Sequence, residues 1–399
     1  MMPIFKRAIP LLEKIEEVGF EAYFVGGCVR DYILKKKIAD VDIATSATPQ
    51  EIKSIFSKTI DVGIEHGTVV VIWNKETYEL TTFRSDGDYT DFRRPSEVMF
   101  IRSLQEDLKR RDFTMNSMAM NKEGKIIDPF SGQEAIRNRL IETVGSAKER
   151  FHEDALRMMR AVRFVSQLSF TIANETQKAL KTNASLLEKI ATERKTIEFE
   201  KLLQGENRKQ AFQLLLDTEL FLFLPGLMKH EQALRQLIQY HIESLSTVEV
   251  WSLLLYLMDM KQDKVELFLR KWTLPVKKIK QITSILSWLQ VRLCSEWQTE
   301  TLYRAGLENV LHTEILFNTI SHRPVHQSIS ELKEKYHRLV IKDRHELAVS
   351  GRDLMVWDNQ EGGPWIKVKL ATIEKAVLTG QVSNEKEKIR EWLQTCNQS

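Results

Sequence analysis

Cysteine is scarce: Cys28, Cys294 and Cys396 are the only three in 399 residues, and they lie far apart. No C-x-x-C pair or Cys/His cluster exists, which excludes a zinc knuckle and a disulfide framework. Such isolated thiols fit a reducing, cytoplasmic setting. Long apolar runs are missing as well. None approaches the roughly 20 residues a helix needs to cross a bilayer, so no membrane attachment is expected. The opening segment carries Glu13, Glu16 and Glu17 and reads as an amphipathic helix rather than a signal peptide. Charge of one sign is not in excess either, with 58 basic against 55 acidic residues and a net charge of +3. Any surface for a polyanion must therefore be a local patch, with acid placed elsewhere. There is no repeat of fixed period and no low-complexity tract.

What is present changes character near residue 130. Before it, short β-type runs alternate with helical stretches: 22–25 (AYFV), 40–44 (DVDIA), 68–73 (TVVVIW), 77–83 (TYELTTF), 98–101 (VMFI) and 125–128 (KIID). Thr48-Pro49-Gln50-Glu51 and Ser103 to Glu106 have the spacing of capping boxes, and Asn74-Lys75-Glu76 that of a hairpin turn. After about residue 145 nearly every segment has helical periodicity, punctuated by Gly205, Pro225, Pro275, Pro324 and Pro364. The length allows two to four domains. The expected fold class is α+β: a sheet domain at the N-terminus feeding an elongated all-α array.

The chemistry begins at Asp40-Val41-Asp42-Ile43. In a strand, residues i and i+2 share a face, so the two carboxylates would stand together while Val41 and Ile43 are buried. Like charges that close are unfavourable unless a cation joins them, and Mg²⁺ commonly takes one or two carboxylates plus substrate phosphates. Taken alone, D-x-D is more readily an edge strand facing water, because the pattern is common by chance. Upstream, Phe24-Val25-Gly26-Gly27-Cys28-Val29-Arg30-Asp31 is a strand ending in a double glycine before a helix. Glycines let backbone N–H groups approach an anion, and Arg30 adds a charge-assisted contact. The turn is neither a Walker A loop nor G-x-G-x-x-G, so kinase-type and Rossmann chemistry lack support.

Gly26-Gly-x-x-Arg-Asp31 followed by Asp40-x-Asp42 resembles the nucleotidyltransferase core of the polymerase-β superfamily. Later motifs narrow the resemblance to the class II CCA-adding enzymes and their bacterial poly(A) polymerase relatives. The family motifs occur in order from residue 26 to about 203. Lys109-Arg110-Arg111-Asp112-Phe113-Thr114-Met115-Asn116 is similar to the family's RRDFT-x-N motif. Its basic cluster suits a triphosphate, with Arg111 the expected contact and Asp112 and Asn116 orienting ribose and neighbouring side chains. Asp86 to Pro95 is similar to the family's flexible loop, whose presence favours full CCA addition. Glu79 is either an accessory carboxylate near the metals or a salt-bridge partner of Arg84. Arg194 to Leu203 resembles the motif that braces the nucleotide-binding helices, and is read as structural.

Glu153-Asp154-Ala-Leu-Arg157-Met-Met-Arg160-Ala-Val-Arg163 is the most informative string. Asp154 and Arg157 have the i, i+3 spacing of helix neighbours, with Arg160 and Arg163 continuing the stripe. Most such strings are intrahelical salt bridges on a wet face. Cytosine and adenine, however, both present an N–H donor beside a ring-nitrogen acceptor, which an Asp acceptor next to an Arg donor complements. Guanine and uracil present the reverse order, and a site built for one pattern rejects the other. The resemblance implies that role for Asp154 and Arg157, with Arg160 and Arg163 contacting nucleotide or supporting the pair.

The expected domains are a catalytic head (1–145), a helical neck with base recognition (146–204), a helical body (205–290) and a tRNA-binding tail (291–399). The resemblance implies a tRNA nucleotidyltransferase that adds C, C and A from CTP and ATP without a nucleic-acid template. Asp40 and Asp42 would hold two Mg²⁺ ions, and Gly27, Arg30, Arg111, Asp154, Arg157, Arg160 and Arg163 would bind nucleotide. The partner is tRNA, and a homodimer is left open. A poly(A) polymerase or A-adding enzyme shares every core motif. A non-catalytic RNA-binding module would carry a decayed head, and the intact motifs count against it. In the helical half the basic stretches Lys277 to Lys280, Lys333 to Arg338 and Lys367 to Lys369 are each more simply wet helix faces, though collectively they suit RNA phosphates. Trp251, Trp272 and Trp288 read as core.

Overall fold

The computed structural model describes residues 2–87 and 98–396, so most of the expected flexible loop lies outside the described residues. The chain divides into two compact units, Met1–Arg235 and Gln236–Ser399.

The first unit opens with the helix Pro3–Glu17, which buries Phe5, Ala8, Leu11, Leu12 and Ile15 on one stripe, as its amphipathic spacing requires. A seven-stranded sheet follows. Its strands are β1 (Ala22–Val25), β2 (Asp42–Thr45), β3 (Thr59–Asp61), β4 (Thr68–Trp73), β5 (Glu76–Thr82), β8 (Ala119–Met120) and β9 (Ile126–Ile127), in the order β3-β4-β5-β2-β1-β8-β9. β6 (Arg84–Asp86) and β7 (Val98–Phe100) form a separate antiparallel pair. The β4–β5 hairpin turns on Asn74 and Lys75, both at positive φ, the conformation that Asn tolerates in tight turns. Thr48 and Glu51 make both bonds of a capping box. Most neighbours in the sheet are antiparallel, but β2 and β5 run parallel, with Asp42 opposite Glu79 and Ile43 opposite Leu80.

Beyond the sheet, β10 (Leu140–Ile141) and β11 (Thr171–Ile172) pair in parallel. Helices Ala147–Glu153, Leu156–Leu168, Asn174–Asn183, Thr192–Leu203 and Arg208–Asp217 make up most of the rest of the unit. Leu156–Leu168 packs on Thr192–Leu203. A Cβ at Gly205, two residues past the end of that second helix, would lie 2.2 Å from Ser166 Oγ, so the position must be glycine for the chains to approach this closely.

The second unit is all helix among its described residues, led by Thr247–Leu257, Gln262–Lys271, Val276–Cys294 and Thr299–Ile320. Gly306, at φ 72° and ψ 153°, breaks the last of these into two helices. Trp251 and Trp272 are fully buried and meet edge to face at 5.0 Å, as their core reading required. A sheet domain followed by helices is the expected α+β class.

Candidate active site

β1 delivers the chain to Gly26, whose φ of 72° and ψ of −131° close the turn into the helix Gly27–Ile33. A side chain there would meet the Arg111 guanidinium, because a Cβ would stand 3.0 Å from Nη1. Glycine thus serves both the turn and the close approach of a cation. β2 begins at Asp42, so Asp40 precedes the strand rather than lying within it. The expected alternation survives this correction. Val41 and Ile43 are buried while Asp40 and Asp42 are exposed, because the extended chain keeps its period of two before ladder bonds begin.

Glu79, in register on the parallel β5, shares the face of Asp42. The three carboxylates Asp40, Asp42 and Glu79 line one cleft of about 570 Å³. Surrounding protein raises the Asp42 carboxyl above its ordinary range. Arg111 opposes the rise, and the Glu79 and Asp40 carboxylates add to it. Among the described residues no group of three or more His, Cys, Asp or Glu is close enough to hold a metal. The donor chemistry still fits a hard divalent cation, since Asp40, Asp42 and Glu79 offer only oxygen and the two neighbours repel the Asp42 charge, a repulsion that a cation would relieve. Arg84, the alternative partner weighed for Glu79, instead donates Nη1 to the His66 carbonyl.

A second, adjoining cleft of about 790 Å³ gathers Gly26, Gly27, Arg30, Asp42, Arg111, Asp154, Arg157, Arg160 and Arg163. Ala39 and Asp42 line both clefts. Eight cationic side chains face the larger one against four carboxylates, a field suited to a polyanion. Asp107, passed over in the sequence, organises one wall. It is buried and accepts from Arg110 at 3.0 and 2.8 Å and from Arg111 at 3.1 Å. Burial alone would raise its carboxyl, but the two guanidinium groups bring it below the ordinary range. The i, i+3 and i, i+4 spacing of Asp107 to Arg110 and Arg111 was the available signal.

Asp112 and Asn116 orient neighbouring side chains. Asp112 accepts from the Phe113 N–H, from Asn116 Nδ2 at 3.1 Å and from Arg160 Nε at 2.7 Å. Asn116 Oδ1 accepts from Arg30 Nη1 at 2.8 Å, and Asp31 holds the other side of that guanidinium. Arg30, Arg160 and Arg163 all lie over the ring of Phe164, Arg163 nearest at 4.2 Å. Arg163 also pairs with Glu198 at 2.7 Å. Burial and the adjacent Arg160 charge bring its guanidinium down to about 10.

Asp154 and Arg157 differ from expectation. They are not neighbours on one helix, because the chain breaks between Ala147–Glu153 and Leu156–Leu168 and Asp154 is extended, at φ −138° and ψ 102°. The short polar side chain prefers to cap: Oδ1 accepts from the Leu156 N–H at 3.0 Å, and the Asp154 carbonyl accepts from the Arg157 N–H at 3.0 Å. Nor do the two side chains form a salt bridge. Asp154 pairs with Arg194, at 3.3 Å to Oδ1 and 2.9 Å to Oδ2. Arg157 donates Nη1 to Glu153 and to the Arg150 carbonyl, and Nη2 to the Arg110 carbonyl at 2.9 Å. The bracing motif at 194–203 therefore reaches the site itself.

Carboxylates on and beside paired strands, next to a cationic cleft with an Asp acceptor and Arg donors on its wall, are the apparatus of a nucleotidyltransferase. Residues 22–142 match the poly A polymerase head domain, 169–242 the probable RNA and SrmB-binding site of polymerase A, and 242–393 the putative domain 2 of tRNA nucleotidyltransferase. The chain is 48% identical to the CCA-adding enzyme of Bacillus cereus over 99% of its own length and all of the relative's. It is 49% identical to that of a Geobacillus species, over 98% of this chain and 96% of the relative. The crystal structure of the Bacillus stearothermophilus CCA-adding enzyme in complex with CTP matches it with a TM-score of 0.91 and 45% identity, across 100% of this chain and 98% of that one. The chain belongs to the CCA-adding enzymes, a family of tRNA nucleotidyltransferases. Enzymes of this kind are metal-dependent, and no helix described here is long and apolar enough to cross a membrane.

Proposed function

We propose that this chain adds C, C and A in sequence to the 3′ end of tRNA, drawing on CTP and ATP and using no template. The observation that carries the reading is that Asp154 and Arg157 face the same cleft as Asp42. An acceptor and donors on the wall choose the base beside carboxylates that serve the transfer. Near full-length similarity to CCA-adding enzymes favours this over poly(A) or A-only synthesis and over a non-catalytic RNA-binding module.

Asp40 and Asp42 are the residues that would hold Mg²⁺, with Glu79 beside them. Bound there, two ions would make the primer 3′-hydroxyl easier to deprotonate and would neutralise the leaving pyrophosphate. The chain's own groups do the rest. Arg111, held by Asp107 against Gly26, presents charge to the triphosphate, and the Gly26-Gly27 backbone admits it closely. Arg30, Arg160 and Arg163 supply the cationic floor around Phe164. Asp154 accepts the exocyclic amine of cytosine or adenine, and Arg157 donates to the ring nitrogen. We assign catalysis to a head of residues 1–145, base recognition to a neck of 146–204, and RNA binding to the helical body (205–290) and tail (291–399), with Mg²⁺ as the metal and the cytoplasm as the setting.

The test offers one labelled nucleotide at a time to tRNA lacking its terminal residues, with wild type beside Asp40→Ala and Asp42→Ala. CTP incorporation followed by a single A is expected for wild type, and none for either variant at unchanged folding. Long ATP tails, or substantial activity in the variants, would refute the assignment.

A further inference from the structure

We propose that Arg194 is a positioning residue for base selection, fixing the Asp154 carboxylate so that one acceptor lone pair, on Oδ2, is left for the incoming base. The proposal rests on the base-reading role given above to Asp154 and Arg157.

Asp154 stands in a break between helices, where the backbone does not dictate its side-chain angle, and the terminal torsion of a carboxylate is intrinsically broad. Hydrogen bonds must therefore aim it. Each carboxylate oxygen offers two in-plane lone pairs. Oδ1 spends both, on the Leu156 N–H at 3.0 Å and Arg194 Nη1 at 3.3 Å. Oδ2 spends one, on Arg194 Nη2 at 2.9 Å, and keeps one. Glu153 and two backbone carbonyls do the corresponding work on Arg157: both Nη1 hydrogens and one Nη2 hydrogen are taken. Nε–H and one Nη2–H remain. A pair of flexible, multivalent ions is thereby reduced to one acceptor and two donors in set directions. That is the pattern that separates cytosine and adenine from uracil and guanine.

Arg194 is itself rigidly mounted. It lies in the first turn of Thr192–Leu203, and Glu198 of the same helix makes the buried 2.7 Å pair with Arg163. Its guanidinium lines the cleft, so it borders the base site rather than merely joining two helices behind it. A lysine would keep the charge but not the planar fork that engages both oxygens.

The test measures kcat/KM for CTP and for UTP on the same tRNA primer in wild type, Arg194→Lys, Arg194→Ala and Asp154→Ala, with melting midpoints for each. UTP differs from CTP only where the base edge is read, so the ratio is insensitive to the amount of folded protein. We expect the CTP/UTP ratio to fall by about tenfold or more in Arg194→Ala and by less in Arg194→Lys. A brace that is only structural would lower both constants together and leave the ratio alone, and that result overturns the proposal. If Asp154→Ala loses discrimination while both Arg194 variants keep it, the role of Arg194 alone is refuted. If Asp154→Ala keeps discrimination, the base-reading assignment falls and this inference falls with it.

Discussion

Burial alone would push the Asp112 carboxyl towards its neutral form. The Arg160 charge and the Asn116 and Arg160 hydrogen bonds instead hold it down at about 2, from an ordinary 3.8. The difference corresponds to about 2 kcal/mol of stability at neutral pH. The folded value is depressed, so this stability is complete above the unfolded value near 3.8 and is lost as pH falls through about 2. Asp112→Asn should therefore cost about 2 kcal/mol near pH 7, with the gap to wild type closing as the solution is acidified towards about pH 2. Urea unfolding across that range checks it, and a gap independent of pH would remove the charge from the account. At this scale much was legible. Gly27, Arg30, Arg111, Asp154, Arg157, Arg160 and Arg163, all singled out in the sequence, line the larger cleft. Asp107 escaped notice because its importance is burial, which a polar residue in a short helix does not advertise.

Among the elements of the second unit, Val276–Cys294 is tied to the second part of Thr299–Ile320 by a buried ion pair. Glu314 accepts from Arg292 Nε at 2.7 Å and Nη2 at 3.2 Å, and from Trp297 Nε1 at 2.9 Å. The Arg292 guanidinium also lies 3.9 Å from the Phe317 ring centroid. Removing one partner strands the other charge in the interior, so Glu314→Ala should destabilise by about 3–5 kcal/mol. The double change Arg292→Met with Glu314→Leu should cost far less, since it removes both charges and keeps volume. Chemical denaturation of the two proteins decides it, and equal losses would show that packing rather than charge dominates. Elements were legible where they were long or strongly patterned, as in β4, β5 and the opening helix. β3 and β8 were not, since β3 has three residues with two exposed and β8 has only two residues. Sheet pairing, not local propensity, makes them strands.

Across the whole molecule the near balance of charge is resolved by local pairing. Lys335 pairs with Glu331, Arg338 with Glu334, and Lys369 with Asp358. Part of two basic stretches is thus neutralised, the first by the preceding turn of its own helix and the second by the helix before it. Lys277 and Lys280 are exposed and make no ion pair among the described residues. Replacing both with glutamine should weaken tRNA binding and reduce the slope of log K against log salt by about 1.4 to 1.8, the release of two phosphate counterions. Replacing Lys335 and Arg338 should leave that slope nearly unchanged. Binding titrations between about 50 and 200 mM salt test the contrast, and equal slopes would remove the Lys277 face from RNA contact.

The sequence by itself singled out residues that the fold gathers along two adjoining clefts. The reason is that the double-glycine turn, the alternating carboxylates and the basic run are each short-range patterns written in adjacent residues. The tertiary structure alone decided which side chain answers which. Asp154 bonds Arg194 across 40 positions, Asp112 bonds Arg160 across 48, and Asn116 bonds Arg30 across 86. Such pairs depend on how helices and sheet pack, which spacing along the chain does not encode. The expected i, i+3 partnership of Asp154 and Arg157 gave way because a capping carboxylate ended one helix and began the next.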